Sequence, residues 1–212
     1  EEWKRGEYQP YSDDLLKDVL KNICKITPPY VRIDRLVRDI SRKWVAAGTH
    51  TTNMRQYVEA ELIKEGTPCQ CIRCREVKAG EYDVVPELIN RELNTYGGKE
   101  HLLTFEKDQK LYSLLRLRLP TNPSPLFSEL SGCAIIREIH TYGKTLSHED
   151  KLTQKTQHQG LGKKLMQEAE NIALAAGYKK IAVISSIGTR EYYRALGYER
   201  SGHYMVKSLF NA

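Results

Sequence analysis

No stretch of this sequence offers about 18 uninterrupted apolar residues, so the sequence predicts no membrane-spanning helix. The N-terminal residues, Glu1–Arg5, include neither an initiator methionine nor an apolar h-region. These absences exclude a signal peptide and indicate a chain cut from something longer. Internal repeats and low-complexity segments are also missing, which is typical of an ordinary chain of one or two domains.

The charge balance and the cysteines bear on partners and compartment. The 212 residues include 33 lysines and arginines against 27 acidic residues, a net charge of +6. This excess permits an acidic partner such as RNA, and it equally suits a surface rich in lysine and glutamate. Three of the five cysteines, Cys69, Cys71 and Cys74, lie too close together for an ordinary disulfide framework. We therefore expect a reduced, intracellular, cytoplasmic protein.

The first part of the chain predicts two helices with a strand between them. Ser12 is a candidate N-cap, and the apolar residues after it recur at helical spacing up to the two prolines that follow Thr27. Tyr30–Ile33 alternates as a strand does, and residues 51–65 place apolar side chains on one helical face. Gly66 and the proline that soon follows it break this second helix before the cysteines.

From Asp83 onward the pattern predicts an α/β domain whose first half is mostly antiparallel. Val84–Tyr96 is amphipathic and ends at two glycines, which predicts a helix with a glycine C-cap. The elements predicted after it are strands at Leu102–Glu106, Tyr112–Leu119 and Cys133–Tyr142, a helix at Leu161–Ala176, a strand at Lys180–Ser185, a helix at Glu191–Leu196 and strand character over Tyr198–Ser208. We place the domain boundary near residues 77–83 and expect Cys133 to be a small apolar core residue.

The sharpest local motif lies directly before the long predicted helix; it is Gln157, His158, Gln159, Gly160, Leu161 and Gly162. Two glycines let the backbone approach a ligand closely, and the free N–H groups at a helix start form an anion site that fits a pyrophosphate. The motif is neither the Gly-x-Gly-x-x-Gly nucleotide fingerprint nor a P-loop. It is similar to the CoA pyrophosphate loop of the GNAT acetyltransferases. In isolation, an ordinary glycine-containing helix start is the alternative.

A second motif, Glu191–Tyr198, resembles the GNAT signature of an aromatic pair followed by a glycine and another aromatic residue. The resemblance implies that Tyr193 lies near the thioester sulfur, where its phenol protonates the departing thiolate. Tyr192 is expected to be a packing residue. Arg137–Tyr142 is expected to be the central strand that splays beside the cofactor, with backbone donors that form an oxyanion hole. His140 on that strand is either a base or a satisfied core residue.

Cys69, Cys71 and Cys74 place three thiols within six residues, which favours a structural zinc site. Zinc takes four ligands in tetrahedral geometry, and three sulfurs with one histidine are a common set. His50, the only histidine upstream of the cluster, is the candidate fourth ligand. The alternative is three unbound thiols in a buried linker, although unpaired thiols so close together invite oxidation.

A basic run between Tyr30 and Trp44 suits contact with RNA, because cations bind phosphates and aromatic rings stack on unpaired bases. Its members are Arg32, Arg35, Arg38, Arg42 and Lys43. A solvated helix face is the alternative, since Asp34 and Asp39 partly neutralise the run.

Several longer stretches resemble the Elongator catalytic subunit family, and the resemblance covers essentially the whole chain. The stretches are Val31–Ile40, Cys74–Val77, Leu114–Arg118, Ile136–Gly143, Gln157–Gly162, Ile181–Ser185, Gly188–Arg194 and Tyr204–Lys207. The resemblance implies a small α/β remnant of a radical SAM domain at residues 1–66, basic and facing tRNA. It implies a cysteine-rich, zinc-binding linker at residues 67–82. It implies an α/β GNAT acyltransferase fold at residues 83–212, a mixed and largely antiparallel sheet with flanking helices.

The family implication is a tRNA-modifying enzyme that uses acetyl-CoA to begin a carboxymethyl group at C5 of the wobble uridine. Carried over by motif, its acetyl-CoA contacts are Glu138, Ile139, His140, Thr141, Leu161, Gly162, Lys163 and Tyr193. The loop residues Gln157, His158, Gln159 and Gly160 accompany them. The resemblance also implies zinc and tRNA, and it leaves open other Elongator-type subunits or self-association as partners.

One departure from the family bears on the activity. The sequence has no cysteine motif at radical SAM spacing, since Cys24 stands alone and the later cluster is spaced differently. An iron–sulfur cluster and S-adenosylmethionine are therefore expected only in full-length family members, whereas this chain is expected to bind acetyl-CoA and to hydrolyse or transfer its acetyl group. Two alternatives stay open: a protein lysine N-acetyltransferase, for which Glu138 is the one candidate base, and a non-catalytic module that senses acetyl-CoA and binds RNA.

Overall fold

The computed structural model divides into two compact units, Glu1–Arg75 and Glu76–Ala212. The residues that the structure describes are 1–38, 40–78, 84–121, 127–142 and 160–210. Within these ranges, no helix is both long enough and apolar enough to cross a lipid bilayer. The predicted domain limits at residues 66 and 82 remain predictions.

The first unit is built from three helices: α1, Asp13–Ile26; α2, Met54–Lys64; and α3, Ile72–Arg75. A one-turn 3-10 helix, Arg42–Trp44, lies between α1 and α2 in the chain. α1 begins where the sequence predicted, because the Ser12 Oγ accepts a hydrogen bond from the Leu15 N–H at 3.3 Å. Two aspartates in the first turn suit the positive end of the helix dipole. The helix stops at Thr27, before the two prolines.

A small apolar core joins α1 to α2. Leu20 of α1 is buried against Met54, Val58 and Leu62, which follow one another at four-residue intervals along α2. This spacing confirms the helical face that the sequence predicted for residues 51–65.

The extended segment Tyr30–Ile33 is not the strand that the sequence predicted. It joins no ladder among the strands that the structure describes. Its carbonyls bond to other partners: that of Val31 accepts from the Ile72 N–H, and that of Ile33 accepts from Arg55 Nη1, both at 2.9 Å. Alternation in a sequence cannot tell an extended segment satisfied in this way from a true strand.

Within the described residues, the second unit contains a mixed sheet of seven strands. Its strands are β1, Glu87–Thr95; β2, Gly98–Lys107; β3, Lys110–Pro120; β4, Cys133–Thr141; β5, Lys180–Ile184; β6, Glu199–Ser201; and β7, Tyr204–Ser208. The described helices are α4, Leu161–Ala175, and α5, Arg190–Arg194, and 3-10 turns lie at Ser128–Leu130 and Ile187–Thr189. The spatial order is β1-β2-β3-β4-β5-β7-β6, in which only β4 and β5 are parallel. This arrangement confirms the predicted GNAT-type fold with an antiparallel first half.

Strand β1 replaces the helix predicted at Val84–Tyr96. It pairs with β2 along its whole length; Tyr96 and Gly97 form the turn between the two strands, and Gly98 begins β2 instead of capping a helix. The alternation of β1 was hidden in the sequence by Arg91. Its guanidinium donates to both carboxylate oxygens of the buried Glu106, at 2.7 and 3.1 Å. In the sequence, the charge of Arg91 suggests an exposed position, because the sequence does not show the carboxylate that pairs with it.

Helix α4 covers one face of the sheet and closes the main core. Leu165 and Ala169 of α4 pack with Leu115 of β3 and Ile136 of β4, and all four are fully buried. Cys133, at the start of β4, is also fully buried, which confirms it as a small core residue. Burial of this kind stabilises by about 1.5–3 kcal/mol for each large apolar side chain.

Strand β4 parts from its neighbour β5 halfway along its length. The parallel pairing runs only from Cys133 to Ile136, whereas β4 continues beside β3 to Thr141. A bulge at Arg137 shifts the register of the β3–β4 ladder at the same point. Beyond Ile136, the β5-facing edge of β4 has no strand partner within the described part of the chain. The splay predicted for this strand is therefore confirmed.

The turn between β1 and β2 yields a stability prediction. A Cβ added at Gly98 would lie 2.2 Å from the Leu119 carbonyl oxygen, and the backbone there has φ +149. We expect Gly98→Ala to lower the free energy of unfolding by about 3 kcal/mol or more, because strain and overpacking add. Gly97→Ala is the matched control; its φ is +69 and its Cβ would meet only a side chain. It should cost about 1–2 kcal/mol in denaturant unfolding, and equal losses would contradict the packing argument.

Candidate functional site

A cleft of about 410 Å³ opens where β4 has parted from β5. The end of β4, the first turn of α4 and the region of α5 enclose it. Its lining residues are Ile139, His140, Thr141, Gly160, Gly162, Lys163, Thr189, Tyr192 and Tyr193. All of them except Thr189 and Tyr192 are site residues that the sequence predicted.

The first turn of α4 presents backbone donors to this cleft. Gly160 precedes the helix with φ +105, a left-handed conformation that favours glycine. The first helical bond runs from the Lys164 N–H to the Gly160 carbonyl at 2.8 Å, so the N–H groups of the three residues between them have no acceptor within the helix. Leu161 is buried in the core and fixes the turn, while Lys163 is exposed beside it. Together with the helix dipole, these groups can bind an anion.

The end of β4 forms the opposite wall of the cleft. Ile139, His140 and Thr141 line it, and the exposed His140 ring lies 4.5 Å from that of Tyr142. His140 is therefore not the buried core residue that the sequence left open as an alternative. Glu138 does not line the cleft, because its carboxylate accepts a hydrogen bond from Arg116 Nε at 2.9 Å.

Two adjacent tyrosines close the cleft. Tyr193 is 5% exposed and belongs to the main core, whereas Tyr192 is 37% exposed. Their rings meet edge to face with centroids 5.2 Å apart. A Cβ added at Gly162 would lie only 3.2 Å from the Tyr192 hydroxyl, so this phenol faces the helix start directly. Burial raises the pKa of Tyr193 above its ordinary value, which keeps its phenol protonated.

A buried polar chain lies behind the tyrosine pair and was not foreseen in the sequence. The Tyr198 ring lies 6.0 Å from that of Tyr193, and its hydroxyl donates to Glu170 Oε1 at 2.9 Å. Lys207 Nζ donates to the other oxygen of Glu170 at 2.7 Å. The glutamate is buried and neutralised, so it can hold the tyrosine in place without an unpaired charge. Spacing alone does not reveal such a partnership between α4 and β7.

The remaining predicted residues of this site divide into two groups. Gln157, His158 and Gln159 lie outside the described residues. Tyr192, expected as a packing residue, instead lines the cleft beside Tyr193. The signal that could have identified it is its place in the aromatic pair of the motif.

The first unit holds a second candidate site, a cluster of thiols. The Sγ atoms of Cys69, Cys71 and Cys74 all lie within 4.8 Å of one another. Cys24, on the last turns of α1, joins them: its thiol bonds to that of Cys69, which lowers the pKa of Cys24. It does not stand alone, as its isolation in the sequence implied. The three clustered sulfurs fit three positions of a tetrahedral zinc site, and Cys24, buried in the same apolar core, is a candidate for the fourth.

Hydrogen bonds around the sulfurs suit a metal site. Bonds from the thiols of Cys69 and Cys74 are the main causes that lower the pKa of Cys71, and backbone bonds from Ile33 and Cys74 lower it further. Arg55 Nη2 lies 3.5 Å from the Sγ of Cys74. The same thiol–thiol bonds raise the pKa of Cys69 and Cys74, so within the triad these contacts favour a thiolate, the form in which cysteine binds a metal, at Cys71.

His50 lies away from these thiols. It is exposed and near Asp13, at the first turn of α1, whose carboxylate accepts a hydrogen bond from the Thr51 hydroxyl at 3.1 Å. Cys24 lies eleven residues further along the helix, a rise of about 16 Å. Cys24 shares the buried core of the clustered cysteines, so it competes with His50, which stays a prediction, as the candidate fourth ligand.

The predicted RNA-contact residues are spread along an exposed segment. Arg32 Nη1 donates to Asp34 Oδ1 at 3.0 Å, and the ammonium of Lys43 lies 5.3 Å from the ring centroid of Trp44. Arg42 begins the 3-10 turn that contains Lys43. Arg35 and Arg38 line a cavity of their own in this unit.

Two protein-family models match the chain. Residues 1–64 match the Radical_SAM C-terminal domain, and residues 152–209 match the Acetyltransferase (GNAT) domain. The first match covers most of the first unit, and the second covers the cleft from α4 onward.

Curated relatives and a solved structure align with almost the whole chain. The tRNA uridine(34) acetyltransferase of Dehalococcoides mccartyi is 40% identical over 215 residues, which cover 98% of this chain and 47% of the relative. Elongator complex protein 3 of Danio rerio is 41% identical over 219 residues, covering 98% and 39%. The archaeal Methanocaldococcus infernus Elp3, solved with its N-terminus deleted, superposes with a TM-score of 0.83 at 37% identity, covering 98% of this chain and 51% of that one. The chain thus spans about half the length, or less, of these proteins.

The thiol cluster gives a prediction that separates the two candidates for the fourth ligand. We expect the purified chain to contain zinc, and we expect Cys24→Ser and Cys71→Ser each to reduce the zinc content measured by mass spectrometry. Because a metal that binds only the folded state stabilises it, each substitution should also lower Tm, by at least about 4–8 °C. His50→Ala should keep both metal and Tm. A chain that keeps its zinc after Cys24→Ser but loses it after His50→Ala would reverse this ligand assignment.

Proposed function

Because this chain belongs to the family of Elongator complex protein 3 and tRNA uridine(34) acetyltransferase, we propose that its second unit binds acetyl-CoA and cleaves the thioester in the course of wobble-uridine modification. One observation carries this proposal: a helix start, an unpaired strand edge and a buried tyrosine meet in one cleft. The first unit contributes RNA contact and a structural zinc site. The compartment is the cytoplasm, and further subunits or a second copy of the chain are candidate partners.

The start of α4 is the proposed site of the CoA pyrophosphate. The N–H groups of Leu161, Gly162 and Lys163 are free of helical acceptors, and the positive end of the dipole points at the cleft. The left-handed Gly160 and the small Gly162 let a ligand approach the backbone. The ammonium of Lys163 adds a cation at the rim. The loop residues Gln157, His158 and Gln159 complete this part of the proposal.

The unpaired edge of β4 is the proposed seat of the pantetheine arm and the acetyl group. Backbone groups of Glu138–Thr141 on this edge lack a strand partner among the described residues, so they are available to the amides of the arm. An N–H aimed at the acetyl carbonyl oxygen stabilises the negative charge that develops there when a nucleophile attacks. The side chain of His140, exposed at this wall, is a candidate base for that attack.

Tyr193 is the proposed general acid. When the carbon–sulfur bond of the tetrahedral intermediate breaks, the sulfur leaves as a thiolate, and the phenol of Tyr193 donates its proton to that sulfur. The acid must be protonated at working pH, and burial raises the pKa of Tyr193 above its usual range. The rings of Tyr192 and Tyr198 fix it from two sides.

The first unit supplies the proposed RNA and metal functions. Arg32, Arg35, Arg38, Arg42 and Lys43 are the proposed RNA contacts. Cys24, Cys69, Cys71 and Cys74 are the proposed zinc ligands, and zinc would there brace the fold. We assign no residue of this chain to an iron–sulfur cluster or to S-adenosylmethionine, which belong to the full-length members of the family.

The geometry gives less support to a lysine N-acetyltransferase. Such an enzyme needs a base for the ammonium proton of its substrate. Glu138, the candidate carboxylate, is engaged by Arg116 and does not line the cleft.

Filling the helix start should abolish cofactor binding. We expect Gly162→Trp to remove detectable acetyl-CoA binding in calorimetry, because the indole would occupy the space in front of the free N–H groups. Gly177→Ala, at the far end of α4, is the control; it introduces strain, with φ +87, but no Cβ contact and no change at the cleft. An affinity of Gly162→Trp equal to that of the unchanged protein would mean that the pyrophosphate site is placed wrongly.

Removing one phenol should separate catalysis from binding. We expect Tyr193→Phe to lower thiol release from acetyl-CoA by about 100-fold or more, with affinity nearly unchanged, since the ring remains and only the proton donor is lost.

Thiol release by the unchanged protein should rise when tRNA is added. It should also stay constant past pH 10, the ordinary tyrosine pKa, because the raised pKa keeps the acid protonated.

The matched control is Tyr192→Phe, which removes the neighbouring hydroxyl at the same cleft. It should affect acetyl-CoA affinity more than turnover, because this phenol faces the helix start. If Tyr193→Phe released thiol at the rate of the unchanged protein, the general-acid assignment would be wrong, and a module that only binds acetyl-CoA would be favoured.

A further inference from the structure

The first unit contains a cavity of about 900 Å³ that lies outside the thiol cluster. The extended segment after Ile33, the start of α2 and the α3 region enclose it. Four arginines contribute to its lining, and among the lining residues that the structure describes Asp34 alone carries a carboxylate. The arginines are Arg35, Arg38, Arg55 and Arg73.

Two of these arginines are uncommitted. Arg73 Nη1 donates to the carbonyl and the carboxylate of Asp34, at 3.0 and 3.2 Å, and Arg55 is bonded elsewhere. Arg35 and Arg38 are exposed and make no hydrogen bond or ion pair to any residue in the described ranges. Two free guanidinium groups at the rim of one concave surface suit an anion with several oxygens, such as a phosphate, which arginine binds through paired donors.

The wall that carries these arginines is tied to the thiol cluster. Arg55 is the centre of the tie: Nη2 donates to the sulfurs of Cys71 and Cys74, at 3.8 and 3.5 Å, and Nη1 donates to the Ile33 carbonyl at 2.9 Å. Through Arg55, the carbonyl of Ile33 is therefore linked to the thiol cluster, two residues before Arg35.

Metal binding would strengthen this tie. When a metal takes the sulfurs, they become thiolates, and hydrogen bonds from an arginine to an anion are about twice as strong as neutral ones. Zinc held by cysteine thiolates alone would form a site of net negative charge, which the guanidinium of Arg55 would offset. Arg55 thus couples the order of the metal site to the position of the segment that bears the free arginines.

We infer that this cavity binds a phosphate of the RNA backbone and that Arg55 makes its shape depend on the thiol cluster. The inference rests on the proposed RNA-binding and metal-binding roles of the first unit, and it adds the cavity and Arg55 to them. Arg35 and Arg38 contact the phosphate, whereas Arg55 is a positioning residue that acts through the Ile33 carbonyl.

Binding of a fluorescein-labelled anticodon stem–loop RNA, measured by anisotropy over a range of salt, tests the cavity. We expect Arg38→Gln and Arg35→Gln each to weaken binding by about tenfold. Each should also lower the slope of log affinity against log salt by about 1, since one phosphate contact is lost. Lys64→Gln removes the same charge from an exposed position of this unit outside the cavity and should change neither quantity. Arginine variants that match this control would overturn the cavity assignment.

Arg55→Gln tests the coupling. We expect this variant to retain zinc and the helical circular dichroism spectrum and to bind RNA about tenfold more weakly. In the Arg55→Gln background, Arg38→Gln should reduce RNA affinity little further, because the effects of coupled residues do not add. If Arg55→Gln does not fold, Arg55→Lys is the second variant, because it keeps the positive charge but lacks the several donors of the guanidinium. It should also weaken RNA binding, although by less than tenfold. Full additivity, or unchanged RNA affinity in both variants, would refute the coupling. If the unchanged chain binds no RNA at all, the proposed RNA role itself is wrong; if it binds and only the variants disagree, the inference alone fails.

Discussion

The parting of β4 from β5 is the constraint on which the second unit's site depends. Parallel strands that separate within a sheet leave backbone groups that must find other partners. The core beneath holds the strands together up to Ile136, and the bulge at Arg137 turns β4 away at that point. The start of α4 then brings a second set of free N–H groups to the same opening. A ligand with a string of amides and a pyrophosphate can satisfy both sets, whereas a fully paired sheet would have no room for it.

The first unit needs a different source of stability, because its apolar core is small. Units of this size often need a metal, a disulfide or a partner to be stable. Here the buried sulfurs of Cys24, Cys69 and Cys71 are themselves part of the core around Leu20 and Leu62. A metal bound there would join α1 to the α3 region without any additional apolar area. The same sulfurs also accept hydrogen bonds from the backbone and from arginine, so that core, metal site and exposed basic segment share one set of contacts.

The sequence predicted correctly those elements that are specified by a local pattern of residues, such as a helix cap or an apolar face. The α1 cap, the apolar face of α2 and the glycine-rich start of α4 all depend on neighbours that are close in the chain, whereas the splay of β4 was expected from the family resemblance. The failures share one cause, which is that a distant partner changes the meaning of a residue. Arg91 lies in a strand, where its charge is paired with Glu106 of the neighbouring strand. Cys24 belongs to the thiol cluster only because α1 ends beside residues that are far away in sequence.

The same reasoning explains why Tyr193, and not its more exposed neighbour, suits proton donation. A general acid must hold its proton and point in one direction, and both follow from burial among fixed groups. Tyr198, which packs on Tyr193, is held by its hydrogen bond to Glu170, whose other carboxylate oxygen accepts a hydrogen bond from Lys207. α4 therefore has two tasks: its first turn offers donors to the cleft, and Glu170 near its middle anchors the aromatic residues on the far side. One helix therefore carries both the anion site and the glutamate that holds Tyr198 behind the Tyr193 phenol. The distance between the anion site and this phenol is thus set by the packing of α4 and not by the loops.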